Sequence, residues 1–244
     1  GEVEEITVNP LNPILGITKI FKKISNMNLK SCKISMDISV MSKFLLLIML
    51  RSIAEYNLMN NLKIFYTTPL DYEIDFSKLA YGAGKIDVIP TFEGQHNPRS
   101  ESTLLILLGY EGDRSFSLFE KLEPDDCYLG YPSPSYNTKW KKRIFKFNKE
   151  IIAAVGKDKM IPLASKNPNQ TMKQLEKIIN KLDPKHQKNF MISPMGTKPQ
   201  TVGLFFYYWN SGFYPTIMYS HPKSHDEYSK GIQDTYLIPI PKLL

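Results

Sequence analysis

Apolar residues follow two alternating patterns along the chain, one typical of short strands and one typical of amphipathic helices. Short apolar or alternating runs predict strands at 5–8, 32–38, 62–66, 103–108, 127–130, 160–163, 190–192, 216–219 and 234–240. Helical spacing predicts helices over 14–24, 44–53, 114–122, 139–154, 171–182 and 199–209. Apolar strands that alternate with helices form βαβ crossovers, so we expect a Rossmann-like α/β fold with a mainly parallel sheet and helices on both faces. We expect this sheet to contain the strands at 62–66, 103–108 and 190–192.

Two stretches depart from this alternation. Residues 70–98 are rich in Gly and Pro, and we expect an irregular segment there with one strand at 85–89. Prolines beside 234–240 predict an edge strand, because proline cannot donate a ladder hydrogen bond. The 244 residues contain no internal repeat, so we expect a single Rossmann-like domain over 1–244. The first residue is Gly rather than Met, and we expect this domain to be part of a longer chain.

The composition is that of an ordinary globular protein with a basic balance. The formal net charge is +7, which favours anionic partners such as phosphates or nucleic acid, although a lysine-rich solvated surface explains it equally well. Cys32 and Cys127 form no CxxC pair, which predicts reduced thiols in a cytoplasmic protein. The longest apolar run, 44–50, is too short to cross a bilayer, and the acidic start is unlike a signal peptide. We therefore expect no membrane partner.

The first candidate site lies where the predicted strand at 190–192 leads into an apolar helix. Gly196 allows a close backbone approach, Thr197 offers a hydroxyl, Lys198 offers a cation, and Pro199 suits the first turn of a helix. Helix N-termini at strand ends attract anions, so this junction predicts an anion-binding loop. The structural alternative is that Thr197 caps a core helix while Lys198 is solvated.

Two further junctions have the same strand-to-helix order. In one, we expect Tyr110 to stack on a base, Glu111 to accept a hydrogen bond from the ligand, and Arg114 to hold phosphate. The alternative there is a tight turn with an Asp113 cap and an Arg–Glu pair on the surface. The other, at 37–43, opens the helix at 44–53 with Ser39 and Lys43, and a serine or lysine at a helix start is common for structural reasons alone.

Complete catalytic and metal-binding motifs are missing from the sequence. It contains no GxxxxGK[ST] or GxGxxG loop, no GxSxG elbow and no HExxH pair. His221 and His225 are four residues apart, but Pro222 and Lys223 between them favour a loop over a metal-binding helix face. We therefore expect no metal and no cofactor.

The run Gly196-Thr197-Lys198, followed by Pro199, Gln200 and an apolar helix, resembles the late signature of CRISPR-associated Rossmann fold (CARF) domains. It is also similar to the related SAVED domains of cyclic-oligonucleotide immunity. The resemblance covers about ten residues, and Met195 stands where CARF domains usually have a second glycine. It implies that this loop helps to hold an oligoadenylate or cyclic oligonucleotide over the strand ends, often across a dimer. A wider run, from Asp37 to about residue 235, looks like an uncharacterised bacterial family.

Three hypotheses of function follow from these features. The first is a sensor or regulatory subunit of a bacterial antiviral defence system, which binds a nucleotide-type anion and signals to a protein partner or a fused effector. The second is an enzyme, a hydrolase or glycosidase acting on nucleotides or NAD, with Glu111 as its acid or nucleophile and with Arg114 and Lys198 holding phosphate. The third is a scaffold subunit with an inactive pocket. A fold alone does not choose among them.

Overall fold

The computed structural model describes residues 5–9, 12–25, 33–72, 83–97, 99–135, 138–182, 189–212, 214–223 and 229–241. The helices are α1 (Ile14–Ser25), α2 (Lys43–Glu55), α3 (Gly112–Leu122), α4 (Thr138–Phe147), α5 (Lys149–Val155), α6 (Pro168–Ile179) and α7 (Lys198–Asn210). The strands are β1 (Ile34–Asp37), β2 (Leu62–Thr67), β3 (Asp71–Tyr72), β4 (Ala83–Val88), β5 (Ser102–Leu107), β6 (Asp126–Pro132), β7 (Met160–Leu163), β8 (Asn189–Ser193), β9 (Thr216–Pro222), β10 (Ser229–Lys230) and β11 (Thr235–Ile238).

A six-stranded sheet forms the centre of the fold. Its order is β4-β9-β8-β5-β6-β7, with β5 to β9 parallel and β4 antiparallel at one edge. The chain runs from β5 outward to β6 and β7, then returns to the other side of β5 to form β8 and β9. This is the Rossmann strand order, and it confirms the predicted fold class. The direction of winding reverses between β5 and β8, which is the topological switch point of the sheet.

The two faces of the sheet are covered by different helices. Leu105 and Leu107 of β5 belong to the core that includes the buried faces of α6 and α7. Leu104 and Ile106 point the other way, into a second core with buried residues of α3, α4 and α5. Because side chains alternate along a strand, a strand that is apolar throughout requires cover on both faces.

A second, three-stranded sheet has the order β1-β2-β11. The prediction that 62–66 shares a sheet with 103–108 and 190–192 is therefore wrong. Residues 34–67 do form a parallel β1-α2-β2 unit, but β2 takes β11 from the far end of the chain as its other neighbour. Instead of joining the large sheet, the unit packs α2 beside α7, with Phe44 against Tyr219 of β9 at 5.6 Å between ring centroids.

Several local predictions are confirmed and two are wrong. The strand predicted at 85–89 is β4, and the C-terminal strand β11 lies at an edge of its sheet. Residues 5–8 form no strand, and the helix predicted over 139–154 divides at Asn148 into α4 and α5. Cys32 lies outside the described residues. Along the described ranges, none of the helices combines the length and the apolar character that crossing a membrane requires.

Candidate ligand-binding cleft

A cleft of about 730 Å³ opens at the switch point, at the carboxyl ends of β5 and β8. The loops that follow β1, β2, β5, β6 and β8 line it, together with residues of α4 and of the segment 229–232. Residues 109–114 and 196–198 were expected to lie on the same edge of the sheet, both at the carboxyl ends of strands. They do, because β5 and β8 are adjacent parallel strands whose carboxyl ends coincide.

Gly109 allows the β5–α3 and β8–α7 loops to approach each other. A Cβ atom on Gly109 would lie 2.1 Å from the carbonyl oxygen of Met195, which is far inside van der Waals contact. Glycine is therefore required at position 109 for steric reasons, without any need for an unusual backbone conformation. A Cβ atom on Gly196 would lie 2.3 Å from Oε1 of Gln200, so Gly196 leaves room for the side chain that caps α7.

Thr197 is the N-cap residue of α7. Its hydroxyl accepts a hydrogen bond from the Gln200 N–H at 3.3 Å and donates one to the carbonyl oxygen of Ser165 at 2.7 Å. Gln200 completes a capping box, since its Oε1 accepts from the Thr197 N–H at 2.9 Å. The structural interpretation of Thr197 is thus confirmed, although the residue also lines the cleft.

Lys198, the first residue of α7, is not a solvated surface lysine. Its side chain crosses the cleft, where the ammonium donates a hydrogen bond to the carbonyl oxygen of Ser39 and lies 5.8 Å from the centroid of the Tyr66 ring. Burial lowers the pKa of Lys198 to about 8. That value includes the positive charge of Lys43, which also lowers the pKa, and the carboxylate of Asp37, which raises it.

Lys43 belongs to the third candidate junction, and it lines the cleft although we did not name it as a ligand contact. It is the first residue of α2, and its Nζ donates to the carbonyl oxygen of Met195 at 3.3 Å. Burial lowers its pKa, Glu111 opposes that change, and Arg114 adds to it. Lys43 and Lys198 therefore form a reciprocal pair, because each begins a helix and donates to the loop that precedes the other helix.

The position of this lysine pair opposes the helix dipoles. The N-terminus of an α-helix carries a partial positive charge, so a cation in the first turn is unfavourable there. Lys43 and Lys198 occupy that position in two helices that both point into the cleft. Two ammonium groups and two helix N-termini thus lie in one cleft, together with the carboxylates of Asp37 and Glu111. An anion placed between the lysines would interact favourably with both ammonium groups and both helix N-termini.

Ser39 holds the ends of β1 and β2 together at the rim of the cleft. Its hydroxyl donates to the carboxylate of Asp37 and accepts from the Thr67 N–H at 2.8 Å. The hydrogen bonds from Ser39 lower the pKa of Asp37. Ser39 lines the cleft as predicted, and its carbonyl oxygen fixes the end of the Lys198 side chain.

Arg114 is placed differently from our expectation. Its side chain is 3% exposed, so it is buried, and it does not line the cleft. The guanidinium pairs with Glu111, donates to the carbonyl oxygen of Ser220, and lies 5.4 Å from the centroid of the Tyr219 ring. The predicted Arg–Glu pair is present but buried, and Glu111 rather than Asp113 is the N-cap residue of α3. Arg114 is positioned to hold Glu111, not a ligand.

Glu111 and Tyr110 do line the cleft. The Glu111 side chain is 11% exposed and forms its ion pair with Arg114. Tyr110 packs edge-on against Trp140 of α4, with 6.4 Å between ring centroids. Trp140 also lines the cleft, so the two rings form an aromatic wall. The sequence pattern around Trp140 indicated only an amphipathic helix, which is why its position in the lining of the cleft was not predicted.

The histidine pair of the sequence does not produce a metal site among the described residues. His221 lies beside Asp87, with 3.1 Å between Nε2 and Oδ1, and its ring packs 4.8 Å from that of Phe44. Burial lowers the pKa of His221 in spite of Asp87. His225 lies outside the described residues. Across the described ranges, no three His, Cys, Asp or Glu side chains are grouped as a metal ion would require.

Comparisons with known proteins do not assign the chain to a family. The chain matches no protein-family model, and a search of curated proteins finds no relative. The resemblance of residues 196–200 to CARF and SAVED domains therefore stays a prediction. A function has to be inferred from the chemistry of the cleft.

Proposed function

We propose that this chain binds a nucleotide-type anionic ligand in the cleft at the switch point and acts as a sensor or regulatory subunit. The observation that supports this proposal is the pair formed by Lys43 and Lys198. Both lysines begin helices, and burial in the cleft lowers the pKa of each. Lys43 also lowers the pKa of Lys198, and neither lysine forms an ion pair among the described residues.

An anion reverses the energetics of this arrangement. Without a ligand, the two ammonium groups repel each other, lack full hydration and oppose two helix dipoles. A phosphate between them would accept charge-assisted hydrogen bonds from both lysines and would interact favourably with both helix N-termini. Groups that destabilise the unliganded protein are a feature of binding sites rather than of structural sites.

The remaining walls of the cleft fit the non-phosphate part of a nucleotide. Its volume of about 730 Å³ is typical of small-molecule sites, which span roughly 300–1,000 Å³. Tyr110 and Trp140 offer the aromatic surface on which a base can stack. Residues that bind charge and residues that bind a flat ring thus line the same cavity.

The enzymatic alternative has weaker support. It assigns Glu111 as the acid or nucleophile of a nucleotide or NAD hydrolase, but that carboxylate is paired with the buried guanidinium of Arg114. Arg114, in turn, is not available to hold phosphate in that mechanism. The resemblance around residues 196–200 suggests a bacterial antiviral defence system, in which a bound ligand would alter contacts with a protein partner or a fused effector.

Calorimetric titration tests the proposal directly. We expect ATP, NAD or a cyclic oligonucleotide to bind the wild-type protein, and the Lys43→Ala/Lys198→Ala double variant to lose that binding. Lys63→Ala, at an exposed lysine of β2 outside the cleft, should bind as the wild type does. Separation of the nucleotides after long incubation distinguishes a sensor, which leaves them intact, from an enzyme. Equal binding by the double variant would contradict the proposal.

A further inference from the structure

The amine of Lys198 has a lone pair when it is neutral, and an ion pair with a phosphate does not use that lone pair. The side chain lies inside a cleft that Lys43 also lines, and its end is fixed by the hydrogen bond to the carbonyl oxygen of Ser39. A neutral amine retains this hydrogen bond, because it still has N–H groups to donate. Its lone pair is then free to react with an electrophile in the cleft.

The groups packed around Lys198 favour loss of its proton. Lys43 faces it from α2, Asp37 from β1, and the Tyr66 ring from β2. Burial and Lys43 lower the pKa to about 8, against the single opposing charge of Asp37. At about pH 7.4, roughly a fifth of such amines are neutral, compared with about a thousandth for an ordinary lysine.

We propose that Lys198 is a nucleophilic amine that forms an imine with a phosphate-bearing aldehyde bound in the cleft. Lysines become nucleophiles in proteins where they are desolvated and lie next to a second cation, and both conditions hold at this position. The inference rests on the proposed function in one respect. The phosphate, held at Lys43 and the helix N-termini, is what brings the aldehyde to Lys198.

The reaction requires no oxidant, reductant or metal. The lone pair of the neutral amine attacks the carbonyl carbon, and the oxygen takes up a proton to form a carbinolamine. Loss of the hydroxyl group as water then leaves a carbon–nitrogen double bond. The imine is reversible in water, so the ligand is held covalently but is released when water adds back.

Pyridoxal phosphate is a suitable probe, because it joins an aldehyde to a phosphate group. The protein is incubated with it at about pH 7.4, the imine is reduced with borohydride, and the modified lysines are located by peptide mass mapping. We expect Lys198 to be modified at least tenfold faster than the exposed Lys63. 5-Deoxypyridoxal, which keeps the free aldehyde but has neither the phosphate nor the hydroxyl group that closes pyridoxal into a hemiacetal, should modify Lys198 at least tenfold more slowly.

Two variants separate the amine from its charge. Lys198→Arg keeps a cation at this position but cannot form an imine, so it should lose the modification while Lys63 is modified as in the wild type. Lys43→Ala removes the neighbouring charge that lowers the pKa of Lys198, so the pH at which modification is half-maximal should move upward. A lysine with only a structural role would show neither effect.

The possible results distinguish this inference from the proposed function. Modification of Lys198 by pyridoxal phosphate and 5-deoxypyridoxal at equal rates would contradict both the phosphate dependence of this inference and the anion site of the proposed function. Nucleotide binding without modification of Lys198 above the level of Lys63 would overturn the inference and leave the proposed function intact. Preferential modification of Lys43 would also overturn it.

Discussion

The β5–α3 and β8–α7 junctions at the switch point have the same local structure, but only one of them pairs its cation with a carboxylate. Each follows a strand of the parallel sheet, turns at a glycine and opens a helix with a cation in its first turn. In the β5–α3 junction, the cation is Arg114, buried and paired with its own neighbour Glu111. In the β8–α7 junction, it is Lys198, which donates only to a carbonyl oxygen and faces another lysine.

This difference separates a structural cation from a binding one. Arg114 satisfies a carboxylate and a carbonyl oxygen and packs on a ring, so the fold is more stable with it than without it. Lys198 is desolvated with no carboxylate in salt-bridge contact among the described residues, so its charge opposes folding. Position in the first turn of a helix therefore does not by itself indicate function. The partners of the side chain do.

The largest expected effect is at Arg114. Arg114→Met leaves Glu111 partly buried without its partner, and we expect the free energy of unfolding to fall by about 3–5 kcal/mol. Urea denaturation measures this change. The double variant Glu111→Leu/Arg114→Met should recover much of the loss, because it removes the unpaired charge. A single-variant loss below about 1 kcal/mol would mean that the pair is not structural.

The contact between the two junctions is tested at Gly109. Gly109→Ala places a methyl group against the carbonyl oxygen of Met195, and the two loops must separate to accept it. We expect a loss of about 1–3 kcal/mol in the free energy of unfolding, as for other overpacked sites. Nucleotide affinity should fall as well, since the cleft lies between these loops. Unchanged stability together with unchanged affinity would show that the loops tolerate separation.

Lys198 should behave in the opposite way to Arg114. We expect Lys198→Ala to leave the Tm of the unliganded protein unchanged or slightly higher, because it removes a desolvated charge at a helix N-terminus. Nucleotide binding should weaken by about tenfold or more, since a charge-assisted hydrogen bond contributes roughly 1.5–3 kcal/mol. Thermal melts and calorimetry measure the two effects. A variant that melts several degrees lower and binds normally would make Lys198 structural.

The smallest effect is a pH dependence of stability. The pKa of Lys198 is about 8 in the folded protein and near 10.5 in the unfolded chain, so the unfolded state binds more protons between these values. Stability should therefore rise with pH through this window, and the destabilisation should be fully present below about pH 8. The comparison of wild type with Lys198→Met, by denaturation at several pH values up to about 9, isolates this contribution. Parallel curves for the two proteins would contradict it.

Much of the fold was predictable because strand and helix periods are local properties. The apolar runs at 103–108 and 190–192 and the amphipathic stretch at 171–182 correspond to β5, β8 and α6 within a few residues. The right-handed crossover rule then placed the loops after β5 and β8 at one edge of the sheet. The cap at Thr197 was likewise predictable, because a threonine followed three residues later by a glutamine is the local sequence signature of a capping box.

The sequence by itself determined the alternation of strands and helices and the glycine-bearing loops at their ends. Only the tertiary structure decided that β2 pairs with β11, that Arg114 is buried, and that Lys43 reaches the loop of Lys198. Lys43 and its partner Met195 are 152 residues apart in the chain. Hydrophobic periodicity and capping preferences act over a few residues, whereas such a contact depends on how whole helices and sheets pack. For this reason the sequence placed Lys43 at a helix start but could not show that its side chain reaches the loop of Lys198.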